Sequence, residues 1–200
     1  MSQYLDSKKK IDIFFESLAS QWPYPTRIIL VGGAVALLVG GCRVTEDIDF
    51  EVSLPDIPEK DKFFQAISQV KQETGIGFQF DESIERWSRI SFLDYRNHIK
   101  FYKRYGTITV YLLEISYYTL TKVVRYLSQD ITDLMTVLQK EKPDPLELAN
   151  LWHRALQESP LSEKIYQTKR QMHDFFKSNG RKIWGNSCPL EKILPMFEFK

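Results

Sequence analysis

Asp47 and Asp49 flank a single isoleucine in Thr-Glu-Asp-Ile-Asp-Phe-Glu-Val, residues 45–52. On a strand, residues i and i+2 project to the same side, so both carboxylates can reach one divalent cation. Mg2+ takes hard oxygen ligands, commonly one or two carboxylates completed by substrate phosphates and water. The cation also offsets the repulsion that would otherwise raise the pKa of one of two adjacent carboxyl groups. Upstream, Gly32 and Gly33 end an apolar run and open the segment Ala34–Val39. A strand that ends in two glycines and feeds a helix offers backbone N–H groups and a positive helix end to an anion. The order is neither Gly-x-Gly-x-x-Gly nor the Walker pattern with its Gly-Lys-Ser/Thr, so dinucleotide and P-loop sites are excluded. Each feature taken alone has a plainer meaning, a packing turn for the glycines and a solvated strand face for the Asp pair. Glu51 continues the acidic row either as a third ligand or as a solvent-facing edge carboxylate.

Positive charge for a polyphosphate is offered further along. Lys122 and Arg125 are three residues apart and share a helix face. Lysine is a point charge and arginine a bidentate fork for phosphate oxygens. Asp130 and Asp133 follow, and the plainer alternative is an exposed charged helix with Asp130 as its N-cap. The segment Arg96, His98, Lys100, Lys103 and Arg104, interleaved with Tyr95, Phe101, Tyr102 and Tyr105, is the best local patch for a polyanion. Against that stands a solvated hairpin with its aromatic residues turned inward. His98, His153 and His173 lack partners at metal or triad spacing. Trp87 reads as a core-packing aromatic.

These residues need elements to position them. Ile11, Phe14, Phe15 and Leu18 recur at helical spacing and predict a helix over 7–20, ended by Pro23 and Pro25. Residues 28–31 read as a buried strand, 34–39 as the first turns of a helix, and 46–53 as a strictly alternating strand. A helix over 59–73 follows. Residues 76–115 read as β-rich, with strands at Phe78/Phe80, at Ile90/Phe92 and over 108–115. Helices are expected over 117–128, 130–140, 144–158 and 161–178, with Asn179-Gly180 as a stop. The last twenty residues suggest no clear element. The expected organisation is an α+β (α/β) core over 1–115, a helical region over 116–180 and an irregular tail over 181–200.

Two hundred residues can build one substantial core with an appendage. A net charge of +1 excludes a global electrostatic signature for nucleic acid or anionic membrane. Cys42 and Cys188 form no disulfide framework or zinc pattern and read as free thiols in a reducing compartment. No signal-peptide core or membrane-spanning run is evident, so a cytoplasmic protein with no membrane partner is expected.

The conjunction of Gly32-Gly33-Ala34, Gly40 and Arg43-x-Thr45-x-Asp47-Ile48-Asp49-Phe50 resembles the DNA polymerase β-like nucleotidyltransferase superfamily. It is most similar to the minimal bacterial branch related to AbiEii-type toxins. The block Lys122, Arg125, Asp130, Asp133 is similar to a second stretch of those families. The resemblance implies a nucleotidyltransferase fold, with a mixed sheet backed by helices and a C-terminal helical region. It implies Mg2+ (or Mn2+) on Asp47 and Asp49, with Lys122 completing the catalytic set. Nucleotide contacts would come from Gly32, Gly33, Arg43, Thr45, Lys122, Arg125 and Asp130. Asp130 would orient Lys122 or approach the nucleotide, and Arg43 and Thr45 would shape the turn before the carboxylates. The activity implied is transfer of a nucleoside monophosphate from an NTP to a hydroxyl of RNA, such as tRNA, or of protein, in the manner of a toxin with an antitoxin partner. The alternative is a catalytically weak module for binding or toxin–antitoxin interaction. The superfamily's third carboxylate has two candidates here, Glu114 and Asp94.

Overall fold

The computed structural model describes residues 8–40, 44–54, 60–88 and 90–198. The chain is α+β and divides into two compact units, one of residues 1–84 and 99–113, the other of 85–98 and 114–200.

The first unit is an open mixed sheet with helices. In chain order it contains α1 (Lys8–Gln21), β1 (Thr26–Leu30), α2 (Gly32–Val39), β2 (Asp47–Ser53), α3 (Lys60–Thr74), β3 (Gly77–Asp81), β4 (Ile99–Tyr105) and β5 (Ile108–Leu113). The strand order is β3-β2-β1-β5-β4, with β1–β2 and β4–β5 antiparallel and β1–β5 and β2–β3 parallel. Alternation decides what each face meets. Ile48, Phe50 and Val52 of β2 are buried. They share their face with Phe78 and Phe80 of β3, and Phe50 lies parallel to Phe80 at 5.5 Å between ring centroids. The apolar stripe of α1 lands on that face, where Phe14 and Phe15 meet Phe50 edge-on. Phe63 of α3 meets Phe80. Each buried aromatic removes a large apolar area from water, and edge-on pairs contribute further. Asp47, Asp49 and Glu51 occupy the opposite face.

The second unit is helical: α4 (Ile115–Val123), α5 (Ser128–Glu141), α6 (Pro145–Gln157), α7 (Glu163–Trp184) and the short α8 (Leu190–Ile193), with 3-10 turns at 95–97, 185–187 and 194–197; a further 3-10 turn, Ile84–Trp87, begins on the last residue of the first unit's 1–84 stretch. Its core gathers Trp152, Phe175, Phe176 and Phe197, and the Trp152 indole N–H donates to the Thr119 hydroxyl at 2.8 Å.

Three expectations fail here. Ile90 and Phe92 form no strand; they are buried in a turn segment of the helical unit. Asn179-Gly180 does not stop a helix, because α7 runs on to Trp184. A Cβ on Gly180 would lie 3.0 Å from the Cys188 sulfur and 3.1 Å from Leu190, so this glycine admits the returning C-terminal segment. That segment, expected as an irregular tail, is accordingly structured, with 3-10 turns and α8 packed on α7, where the sequence shows no periodic pattern. No helix among the described residues is long and apolar enough to cross a membrane.

Candidate metal and phosphate site

β1 delivers the chain to Val31, which is extended, and α2 begins at Gly32 with no side chain capping its first turn. The Val31 N–H donates to the Asp49 carbonyl at 3.0 Å, extending the β1–β2 ladder one step beyond the strand. This bond fixes Asp49 beside the start of α2. Gly32 has φ +62°, and a Cβ there would sit 1.9 Å from Asp49 Oδ2. Both its backbone conformation and the carboxylate require glycine at this position. Gly33 is buried in the first turn of the same helix. A carboxylate therefore lies against the helix end whose N–H groups and dipole attract anions, an arrangement suited to a cation held between protein and phosphate.

Asp47 is half-buried, two residues before Asp49 on the same face. Its parallel partner across to β3 is Gly77, where a Cβ would come 2.9 Å from the Glu46 carbonyl and 3.3 Å from Asp47 Cβ. Gly77 thus leaves the flank of Asp47 open, and only the spacing Gly75-x-Gly77 at a strand start could have signalled it. Thr45 is buried and donates its hydroxyl to the Asp47 carbonyl at 3.4 Å, bracing the entry to β2. Arg43 and Cys42 lie outside the described residues. Two carboxylates are a sufficient protein share for Mg2+ when phosphates complete the shell.

Glu51 is neither solvent-facing nor at an edge. It is 1% exposed and accepts the Ile84 N–H at 3.0 Å, a contact spanning 33 residues of chain. Its carboxylate anchors the turn that follows β3.

The second predicted block forms one network within the helical unit. Lys122 is 2% exposed, with Nζ 2.8 Å from Asp133 Oδ2 and 3.4 Å from Asp130 Oδ1. Arg125, 60% exposed, donates from Nη2 to Asp130 Oδ1 at 2.6 Å. Asp130 Oδ2 accepts the Leu127 N–H, the reach-back half of a capping box at the start of α5. Two cations and two carboxylates balance, and the buried lysine ties α4 to α5. Asp130 stands at the third position of α5 rather than at its N-cap, which is Leu127, and its two oxygens are divided between the side chains of Lys122 and Arg125 and the Leu127 N–H.

Glu114 and Asp94 meet at one imidazole. His98 Nδ1 is 3.2 Å from Glu114 and Nε2 is 3.4 Å from Asp94, with the ring stacked on Tyr117 at 4.1 Å. Asp94 also accepts the Tyr117 hydroxyl at 3.1 Å. A hydrogen bond from its own backbone N–H holds the Asp94 carboxyl below the ordinary range; desolvation opposes it, and Tyr117 and His98 add to the lowering. Burial and the Asp94 charge push the Tyr117 phenol up to about 12. A carboxylate held ionised in this way is a weakened proton acceptor.

The aromatic hairpin divides by face. Tyr105 turns inward onto Phe15, whereas Phe101 is 60% exposed. No protein-family model matches this chain, and no curated protein or solved structure was found that matches it.

Proposed function

We propose that the protein is a Mg2+-dependent nucleotidyltransferase, whose carboxylate face binds an NTP and directs a hydroxyl onto its α-phosphate. The observation that carries this reading is the Asp49 carboxylate set against Gly32 at the uncapped start of α2, with Asp47 beside it on the same strand face. Asp47 and Asp49 would hold the metal, while the N–H groups of Gly32 and Gly33 would take phosphate oxygens. The metal, when bound, supplies charge neutralisation and a fixed geometry for the displaced pyrophosphate. The P–O bond to the acceptor forms as the bond to the pyrophosphate oxygen breaks, and the acceptor's proton leaves to solvent or a base. Thr45 holds the strand entry in register.

Labelled NTP incubated with the protein, Mg2+ and total RNA tests the activity. Label transfer to RNA, or to the protein itself, that disappears in Asp49→Ala is the expected result. Glu51, Asp94 and Glu114 are each engaged elsewhere, an observation that favours a second reading as a nucleotide-binding module with weak catalysis. Tight Mg2+-dependent NTP binding without any label transfer would select that module.

A further inference from the structure

We propose that the β1–β5–β4 part of the carboxylate face is a stacking surface for single-stranded RNA; the inference rests on the nucleotidyl-transfer reading and names its acceptor. The sheet register puts Arg27 of β1, Thr109 and Tyr111 of β5, and Phe101 and Arg104 of β4 on the face that carries Asp47 and Asp49. Phe101 stands out to solvent and meets Tyr111 edge-on, with ring centroids 6.1 Å apart and planes at 79°. The Arg27 guanidinium lies over the Tyr111 ring at 5.5 Å. Arg104 is exposed and steadied by a hydrogen bond from its Nε to the Gly106 carbonyl at 3.1 Å.

Cation–ring–ring order across neighbouring strands suits nucleobases, which stack on aromatic faces and on guanidinium planes whatever their sequence. Charge favours the same occupant. β1, β4 and β5 contain no acidic residue, while Arg27 and Arg104 are placed for phosphates. Lys103, on the opposite face, is neutralised by Asp12 and Glu16 of α1. At about 4.8 Å per strand, β5 and β4 lie roughly 10 and 14 Å from β2. An RNA whose 3′ hydroxyl reaches Asp47 and Asp49 would therefore lay its preceding bases over Tyr111, Arg27 and Phe101. Two rings in edge-on contact beside a guanidinium offer stacking partners rather than the continuous apolar groove that a peptide helix needs.

Fluorescence anisotropy with a fluorescein-labelled oligoadenylate tests this, with an oligoadenylate–oligouridylate duplex and the deoxy oligonucleotide as further arms. The wild type should bind the single-stranded RNA more tightly than the duplex. Phe101→Ala should weaken it roughly tenfold, as loss of one stacked base does. Phe101→Trp should retain binding, and Arg104→Gln should flatten its salt dependence. Phe101 is exposed, so unchanged thermal melting of these variants verifies that they fold. Equal binding by wild type and Phe101→Ala, or tighter binding of the duplex or of DNA, would overturn the inference. RNA binding that survives while wild type takes no NTP would count against the transfer reading and leave the surface standing.

Discussion

Gly32 and Gly75 offer a comparison that separates backbone conformation from space. Both have positive φ, but a Cβ on Gly75 meets nothing within 4 Å, whereas one on Gly32 strikes the Asp49 carboxylate. Gly75→Ala should cost about 1 kcal/mol in chemical denaturation, the left-handed penalty alone. Gly32→Ala adds an overpacking clash and should cost about 3 kcal/mol, with Mg2+-dependent NTP binding lost as Asp49 is displaced. Equal costs at the two sites would show that the carboxylate does not press on Gly32. Lys122 invites the opposite experiment. Lys122→Met leaves Asp133 buried without its cation and should lose about 3–5 kcal/mol, most of it recovered by adding Asp133→Leu. Arg125→Ala, at an exposed position, should cost under about 1 kcal/mol. The Asp-x-Asp pair and the glycine pair were legible in the sequence because both depend on local spacing. The burial of Glu51 was not, since the Ile84 N–H that holds it is 33 residues distant.

The elements are tied by contacts that titrate. Asp12 of α1 accepts hydrogen bonds from the Tyr102 and Tyr105 hydroxyls of β4 and pairs with Lys103 at 3.3 Å. Burial opposes ionisation of Asp12, but the hydrogen bonds from Tyr105, Lys103 and Tyr102 outweigh it and hold the carboxyl below its usual range. Desolvation, then the Asp12 charge, pushes Tyr102 up to about 12, and burial and Asp12 raise Tyr105 as well. A lowered carboxyl contributes stability above its unfolded pKa that is lost as pH falls through the folded value. A raised phenol contributes stability present below pH about 10 that is lost as pH rises towards 12. Denaturation midpoints should therefore fall at both ends, and Tyr102→Phe should flatten the alkaline limb; an unchanged alkaline limb would contradict this link between α1 and β4. Most helices and four of the strands follow the hydrophobic period of the sequence. Ile90 and Phe92 mislead because a short apolar pair is buried equally well in a turn. Gly180 misleads because its partner for close packing, Cys188, returns from the C-terminal segment.

At the scale of the whole molecule, the chain passes from the sheet unit into the helical unit over 85–98, returns for β4 and β5, and leaves again at Glu114. Composition shows a shift from strand to helix near residue 115, but the excursion at 85–98 is set by tertiary packing and has no compositional mark. The proposed function has Asp47 and Asp49 bind a metal–nucleotide complex. A ligand that binds only the folded state should also raise the melting temperature, by about 2.7 kcal/mol of stabilisation at a hundredfold excess over Kd. The direct measurement is isothermal titration calorimetry of each NTP into the 200-residue protein, with Mg2+ and with chelator. The account predicts saturable binding that requires Mg2+, is lost in Asp47→Asn and Asp49→Asn, and survives in Phe101→Ala. Absence of Mg2+-dependent binding by the wild type with all four nucleotides, or unchanged binding in both aspartate variants, would contradict it.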